Sequence, residues 1–221
     1  MHLGIIMDGN GRYGLSKYGS RSLGHKDGAL KLMDVSRWCF DEGVKYLTVY
    51  AFSTENWKRS KEEVGFLMKL FKEMFKKYID ICVKENIKIR VIGDITPFSD
   101  DVKEVINKAI DVSKNNTGLV LSIALNYGAR DEIKRCIKKI VADKVDIDSI
   151  DENLISNYLD TKDLPDVDLM IRTGGESRLS NFMLWQLSYS ELYFTDVLWP
   201  LFSKDDLKEA LYSFKKRDRR F

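Results

Sequence analysis

A carboxylate that closes a short apolar run and is followed at once by glycines, an amide and an arginine is equipped to hold phosphate. The run is Ile5-Ile6-Met7, the carboxylate is Asp8, and Gly9, Asn10, Gly11, Arg12, Tyr13 and Gly14 follow. Two chemistries suit this pattern. Gly9-x-Gly11-x-x-Gly14 matches the dinucleotide fingerprint, in which bare backbone N–H groups take a pyrophosphate. Asp8, however, stands beside the first glycine and would repel that anion. The acid that should close a second strand about 20 residues on is also missing, because Asp27 lies in Gly24-His25-Lys26-Asp27-Gly28 with no strand before it. The second chemistry gives Asp8 a hard divalent cation, Mg²⁺, which bridges to a diphosphate and turns repulsion into attraction. Backbone N–H groups of residues 9–12 and the Arg12 guanidinium then hold the remaining oxygens. We favour this second chemistry.

A second cluster of the same character lies far along the chain, in Arg172-Thr173-Gly174-Gly175-Glu176-Ser177-Arg178-Leu179-Ser180-Asn181. Paired glycines bare the backbone, and the guanidinium forks of Arg172 and Arg178 match phosphate, with charge-assisted bonds of about 1.5–3 kcal/mol each. A surface pair between Arg172 and Glu176 is the competing reading, and it accounts for fewer of these residues. Arg21 and His25 flank a predicted helix start at residues 24–28. A lone histidine is usually structural, but one beside Arg12, Arg21 and a helix start is better explained as a donor to phosphate oxygen.

Such groups converge only if strand ends bring them together. Residues 44–52 are β-branched, aromatic and almost continuously apolar, as a parallel strand buried on both faces should be. The strand runs into Ser53-Thr54-Glu55-Asn56-Trp57-Lys58-Arg59, a polar loop expected beside Asp8, since ligands of open parallel sheets bind at strand ends. Ser60-x-x-Glu63 is a capping box opening the longest helix, whose stripe of Val64, Leu67, Met68, Phe71, Met74, Phe75, Tyr78, Ile79 and Cys82 suits either a core or a greasy pocket. Further strands are expected at 87–92, 119–125, 167–171 and 191–196. Helices are expected at 29–40, at 102–112, along Ile133, Ile137, Ile140 and Val141, from Ser149 to Leu159, and after Ser203. The pairs Asp100-Asp101 and Asp205-Asp206 follow serines at helix starts and read as caps rather than as metal ligands.

The 221 residues, 44% hydrophobic and 32% charged, suit one large domain spanning 1–221. A net charge of +2 argues against a nucleic-acid partner, and the basic run at 215–220 reads as the solvated last turn of a helix. Cys39, Cys82 and Cys136 lack metal-ligand spacing and read as buried thiols of a reducing compartment. With no signal peptide or membrane-spanning run, a cytoplasmic protein is expected, one that its substrate or product can bring to a bilayer. Two diphosphate sites, a metal-binding carboxylate and a greasy stripe, without a P-loop or redox motif, point to isoprenoid chemistry.

At this point the motifs become specific. Met7-Asp8-Gly9-Asn10-Gly11-Arg12, Gly24-His25-Lys26-x-Gly28, Tyr50-Ala51-Phe52-Ser53-x-Glu55-Asn56-Trp57-x-Arg59, Asn126-Tyr127-Gly128 and Ile171-Arg172-Thr173-Gly174-Gly175-Glu176-x-Arg178-x-Ser180-Asn181-Phe182 resemble, in order, those of cis-prenyltransferases of the bacterial undecaprenyl diphosphate synthase type. The resemblance implies an α/β fold with a mainly parallel sheet of about six strands flanked by helices and enclosing a hydrophobic tunnel. It implies homodimers and Mg²⁺-dependent condensation of isopentenyl diphosphate onto an allylic diphosphate such as farnesyl diphosphate. The expected product is a long Z-polyprenyl diphosphate such as undecaprenyl diphosphate, a lipid-carrier precursor for cell-wall synthesis.

By that resemblance Asp8 binds Mg²⁺ and assists departure of the allylic diphosphate, with Glu191 completing the metal site. Gly9, Asn10, Gly11, Arg12, Arg21 and His25 hold the allylic diphosphate, and Arg172, Arg178 and Ser180 the isopentenyl diphosphate. Ser53 and Asn56 lie near the proton that is removed, while Phe52, Glu55, Trp57 and Arg59 belong to the loop that closes over substrate. Tyr13 stands where the family more often has tryptophan, a packing change. The ending at Arg220-Phe221 lacks the extension of some heteromeric relatives, which favours a self-sufficient enzyme. Ala51 is small where bulk would block a deep tunnel, which favours a long product. A non-catalytic isoprenoid-diphosphate carrier and a non-catalytic partner subunit are the alternatives.

Overall fold

The apolar runs are short because each crosses one sheet covered on both sides. In the computed structural model, which describes residues 1–217, six strands form a single sheet. They are β1 (His2–Ile6), β2 (Tyr46–Ser53), β3 (Lys88–Ile92), β4 (Val120–Tyr127), β5 (Leu169–Arg172) and β6 (Glu191–Phe194). The order is β3-β4-β2-β1-β5-β6, and every neighbouring pair is parallel. Strands β1 and β5 are buried at every position, as the lack of alternation in their sequences requires.

Side chains alternate between two apolar layers. Leu3, Ile5, Leu47, Val49, Leu169 and Ile171 join the larger core, which is closed by α2 (Arg21–Asp41), α3 (Lys61–Lys84), α4 (Asp100–Ser113) and α7 (Lys204–Lys215). Ile6 and Met170 face the other way, onto Tyr127, Phe182, Met183 and Leu187. A satellite cluster of Cys136, Ile140 and Leu159 joins α5 (Ala129–Ala142) to α6 (Glu152–Tyr158). The three cysteines are buried free thiols.

Several boundaries differ from the sequence expectation. The first glycine loop is short, because α1 (Asn10–Tyr18) begins at Asn10. Its partner α2 begins at Arg21 rather than at Gly24, and Gly14 and Gly24 mark where the two helices touch. A Cβ on Gly14 would lie 2.6 Å from the Gly24 backbone nitrogen, and one on Gly24 would lie 2.0 Å from the Asn10 carbonyl oxygen. Gly14 therefore serves helix packing and not phosphate. On α5 the inward positions are Ala129, Glu132, Cys136 and Ile140, whereas Ile137 and Val141 are exposed. The register is set by Glu132, whose buried carboxylate accepts bonds from the Tyr127 hydroxyl (2.6 Å), the Asp160 N–H (3.0 Å) and Gln186 (3.2 Å). Asp151, not Ser149, caps α6, accepting from the Leu154 N–H at 2.7 Å. Ser203 and Asp206 form the reciprocal cap of α7, as the serine-acid pattern predicts, and Asp100 and Asp101 occupy the first turn of α4. The end of the basic run, at 218–220, and Phe221 lie outside the described residues.

Candidate active site

Strand register decides which loops meet. Ile6 of β1 pairs with Tyr50 of β2 on one side and with Arg172 of β5 on the other, while Ser53 lies opposite Tyr127 of β4. The segments that follow β1, β2 and β5 therefore share one end of the sheet, and they surround a cavity of about 680 Å³.

Asp8 lines it, and is held there from both sides. Its N–H donates to Thr173 Oγ1 at 3.0 Å, and the Thr173 hydroxyl donates back to the Asp8 carbonyl at 2.8 Å, so the buried threonine fixes the backbone. Carboxylate Oδ2 accepts from Arg172 Nη2 at 2.8 Å, and Oδ1 accepts from the Gly9 N–H at 2.6 Å with Arg12 Nη2 3.5 Å away. Arg12 in turn donates to the Gly174 carbonyl at 2.5 Å, tying the first cradle to the second. Gly9 holds a left-handed φ of 103°, and a Cβ there would meet Leu198 Cδ2 at 2.8 Å. The first helical bond of α1 is Tyr13 N–H to Gly9 O, so the N–H groups of Asn10, Gly11 and Arg12 precede the helical ladder and present positive dipole to an anion. A cavity of about 310 Å³ lies against them, lined by Gly9, Gly11, Arg12, Arg21, His25 and Arg59 among others. Burial, then the nearby Arg59 charge, pushes the His25 imidazole below its usual range.

The second cradle is built from side chains. Arg172 is buried, and its Nη1 donates to Ser180 Oγ at 2.7 Å and to the Arg178 carbonyl. Its Nε has no partner among the described residues. The surface pairing with Glu176 falls to Arg178 instead, not to Arg172. Ser180 and Asn181 hold φ of 49° and 62°, costly for residues other than glycine by about 1–3 kcal/mol each. The Asn181 carbonyl accepts from the Ala129 N–H at 2.8 Å, and its Oδ1 accepts from the Arg130 N–H at 3.0 Å. Its Nδ2 donates to Glu55 at 3.2 Å, so these bonds fix the turn and link it to the segment after β2.

That segment is a 3-10 turn at Thr54–Lys58, not an irregular loop. Ser53 and Asn56 bind each other reciprocally, the Ser53 N–H donating to Asn56 Oδ1 at 3.1 Å, and both line the large cavity with Glu55 and Arg59. Phe52 anchors the turn, buried edge-on against Trp57 at 5.2 Å between ring centroids. Trp57 itself turns aside to donate to Asn126 Oδ1 at 2.8 Å and lines neither polar cavity. Tyr13 also lies outside both, accepting a bond from Lys17 at 2.6 Å.

Glu191 is not brought to Asp8 within the chain. It pairs with Leu169 at the start of β6, three residues before the row where Phe194 meets Arg172. At a rise of about 3.3 Å per residue it belongs to the opposite end of the sheet, and its carboxylate accepts from Arg217 there. Among the described residues, no group of three or more His, Cys, Asp or Glu side chains is placed to hold a metal ion. A lone carboxylate still fits Mg²⁺, which binds through one or two carboxylates and completes its octahedron with phosphate oxygens and water.

Met7 and Ala51 line both the large polar cavity and an apolar one of about 100 Å³ between α2, α3 and the sheet. Phe71, Met74, Phe75 and Tyr78 line the latter, while Leu67 and Leu70 are core, so the α3 stripe serves both roles. Ala51 stands at the throat between the polar and apolar spaces. Thr173 and Leu198 were given no role from sequence, and theirs come from contacts distant in sequence.

A family model described as "Putative undecaprenyl diphosphate synthase" matches residues 6–221. The isoprenyl transferase of Clostridium perfringens is 47% identical over the whole chain and 88% of that protein. The ditrans,polycis-undecaprenyl-diphosphate synthase ((2E,6E)-farnesyl-diphosphate specific) of Buchnera aphidicola is 48% identical over the whole chain and 90% of its own length. Lavandulyl diphosphate synthase from Lavandula x intermedia, in complex with dimethylallyl diphosphate, superposes with a TM-score of 0.95 at 34% identity, covering 99% of this chain and 96% of that one. A probable undecaprenyl diphosphate synthase from Campylobacter jejuni gives 0.84 at 35% identity, covering 100% and 97%. No described helix is long and apolar enough to cross a membrane.

Proposed function

The chain belongs to the undecaprenyl diphosphate synthase family of cis-prenyltransferases, and on that premise we propose that it condenses isopentenyl diphosphate repeatedly onto an allylic diphosphate, farnesyl diphosphate by preference. The observation that carries this reading is the position of Asp8. It lies between the buried Arg172 of one cradle and the helix N-terminus of the other, above a throat that leads to apolar surface.

In this reading the N–H groups of residues 10–12, with Arg12, Arg21, His25 and Arg59, hold the allylic diphosphate. Arg172, Arg178 and Ser180 hold the isopentenyl diphosphate. Asp8 is the protein ligand for Mg²⁺, which when bound neutralises charge as the allylic C–O bond breaks. Fixed donors around the leaving diphosphate act in the same direction, favouring the state in which its charge has grown. Ser53 and Asn56, locked to each other, lie where the condensed chain must lose its proton. The aromatic anchor formed by Phe52 and Trp57 holds the turn that excludes water. The chain works as one unit over 1–221, as a homodimer that meets the bilayer through its lipid product and supplies a carrier-lipid precursor for cell-wall synthesis.

Ala51 at the throat and the Buchnera relative support a long product. The small apolar cavity, below the ~300 Å³ common for ligand pockets, supports a second reading with a short product. Incubation with labelled isopentenyl diphosphate and farnesyl diphosphate, with Mg²⁺ or with EDTA, tests both. We expect a long lipid and released diphosphate with Mg²⁺ and neither with EDTA. Products no longer than C15 to C20 establish the short-chain reading, and an absence of diphosphate release under both conditions establishes a carrier.

A further inference from the structure

Arg59 and His25 line both polar cavities, and both face a carboxylate of the chain itself. Glu63, in the first turn of α3, places Oε1 2.8 Å from Arg59 Nη1 and 3.6 Å from His25 Nε2. The helix does not require this. Ser60 caps α3 by accepting from the Glu63 N–H at 3.2 Å, and a reciprocal capping box would fold the glutamate side chain back to the Ser60 N–H. That return bond is not formed, and the carboxylate turns to the two donors instead. Among the residues lining the smaller cavity, Glu63 and Asp8 are the two acids, set among Arg12, Arg21 and Arg59. The second cradle repeats the pattern, because Glu176 pairs with Arg178.

We propose that Glu63 is an internal counterion that competes with diphosphate for Arg59 and His25, and so limits how tightly the first cradle holds it. The proposal rests on the assignment of that cradle to the allylic diphosphate. Its chemistry is partner exchange. An incoming diphosphate displaces the Glu63 carboxylate, and on departure of inorganic diphosphate the carboxylate returns, so Arg59 keeps an anionic partner in either state. For an enzyme that must release inorganic diphosphate after every condensation, such a competitor weakens product retention at the cost of some substrate affinity. The cap of α3 is undisturbed throughout, since it uses only the Glu63 backbone.

The test is calorimetric titration of inorganic diphosphate, with Mg²⁺, into the wild-type chain, Glu63→Gln, Glu63→Asp and Arg59→Ala. Glu63→Gln should bind about tenfold tighter, and Glu63→Asp, which keeps the helix-start charge but shortens its reach, about threefold tighter. In the Arg59→Ala background the Gln substitution should change affinity by less than about twofold. Inhibition of condensation by added inorganic diphosphate should strengthen in parallel. The proposal is overturned if neither folded Glu63 variant binds tighter than wild type, or if the gain survives in full without Arg59. Wild-type chain that binds no diphosphate at all overturns the assignment of the cradle, a separate result.

Discussion

The two anion cradles are made of different material. The first is built on backbone: a helix N-terminus opened by Gly9, with Arg12 lying over it at 52% side-chain exposure and Arg21, His25 and Arg59 beside it. The second is side chain: Arg172, 4% exposed, aimed by Ser180, Arg178 and a turn of left-handed residues. A helix terminus needs no counterion, because its donors carry partial charge and stay near water. A buried guanidinium needs one, and Asp8 supplies it across 164 residues of sequence. The same carboxylate closes onto the Gly9 N–H. Asp8 thus belongs to both cradles, and a change at Asp8 itself is felt in both.

The sharpest way to break this sharing is Asp8→Ala. It removes the proposed metal ligand and leaves Arg172 buried without its acid, so we expect turnover to fall at least about 10³-fold and stability to fall by about 2–4 kcal/mol. Steady-state diphosphate release and denaturant unfolding measure the two. Near-normal turnover would count heavily against the assignment. Gly9→Ala attacks the backbone cradle alone. A Cβ at φ 103° would meet Leu198, so a loss of about 1–3 kcal/mol is expected, together with weaker allylic diphosphate binding and an unchanged isopentenyl diphosphate KM. Equal loss in both substrates would show that the cradles are not separable.

Arg178→Ala probes the exposed edge of the second cradle, where the side chain pairs only with the surface acid Glu176 among the described partners. The KM for isopentenyl diphosphate should rise about tenfold with little change in melting temperature. The smallest effect is acid sensitivity. Burial lowers the folded-state pKa of His25 and of His2, so the unfolded chain binds protons that the folded chain resists. Their contribution is complete above the unfolded value of about 6.5 and is lost as pH falls through the lower folded values. A His25→Gln variant should lose less stability than wild type between pH 7 and 5, and identical profiles would remove His25 from this account.

Much of the site was legible in sequence because its groups come in contiguous runs that end strands. Residues of the runs Asp8 to Arg12 and Arg172 to Ser180, both singled out from residue type alone, line one cavity, and the capping residues at Ser203 and Asp206 needed only local geometry. Glu191 lies at the other end of the sheet from Asp8 within the chain, since parallel register, not composition, decides which end of the sheet a residue reaches. On α5, Ile137 and Val141 look like core until the buried Glu132 finds three hydrogen-bond partners and faces inward. Gly14 reads as a phosphate glycine until α2 is packed against it.

The sequence by itself determined the strands, the residue runs that make up both proposed cradles and the family, because these depend on residue type and on spacing within a few residues. Tertiary structure alone decided that Asp8 is shared by Arg172 and the α1 terminus, that Glu63 faces Arg59 and His25, and that Ala51 stands at the apolar throat. Each of those rests on contacts between separate strands or helices. Charge and hydrogen bonding act over a few ångströms in space, and local sequence pattern carries no record of which distant residue will occupy that space.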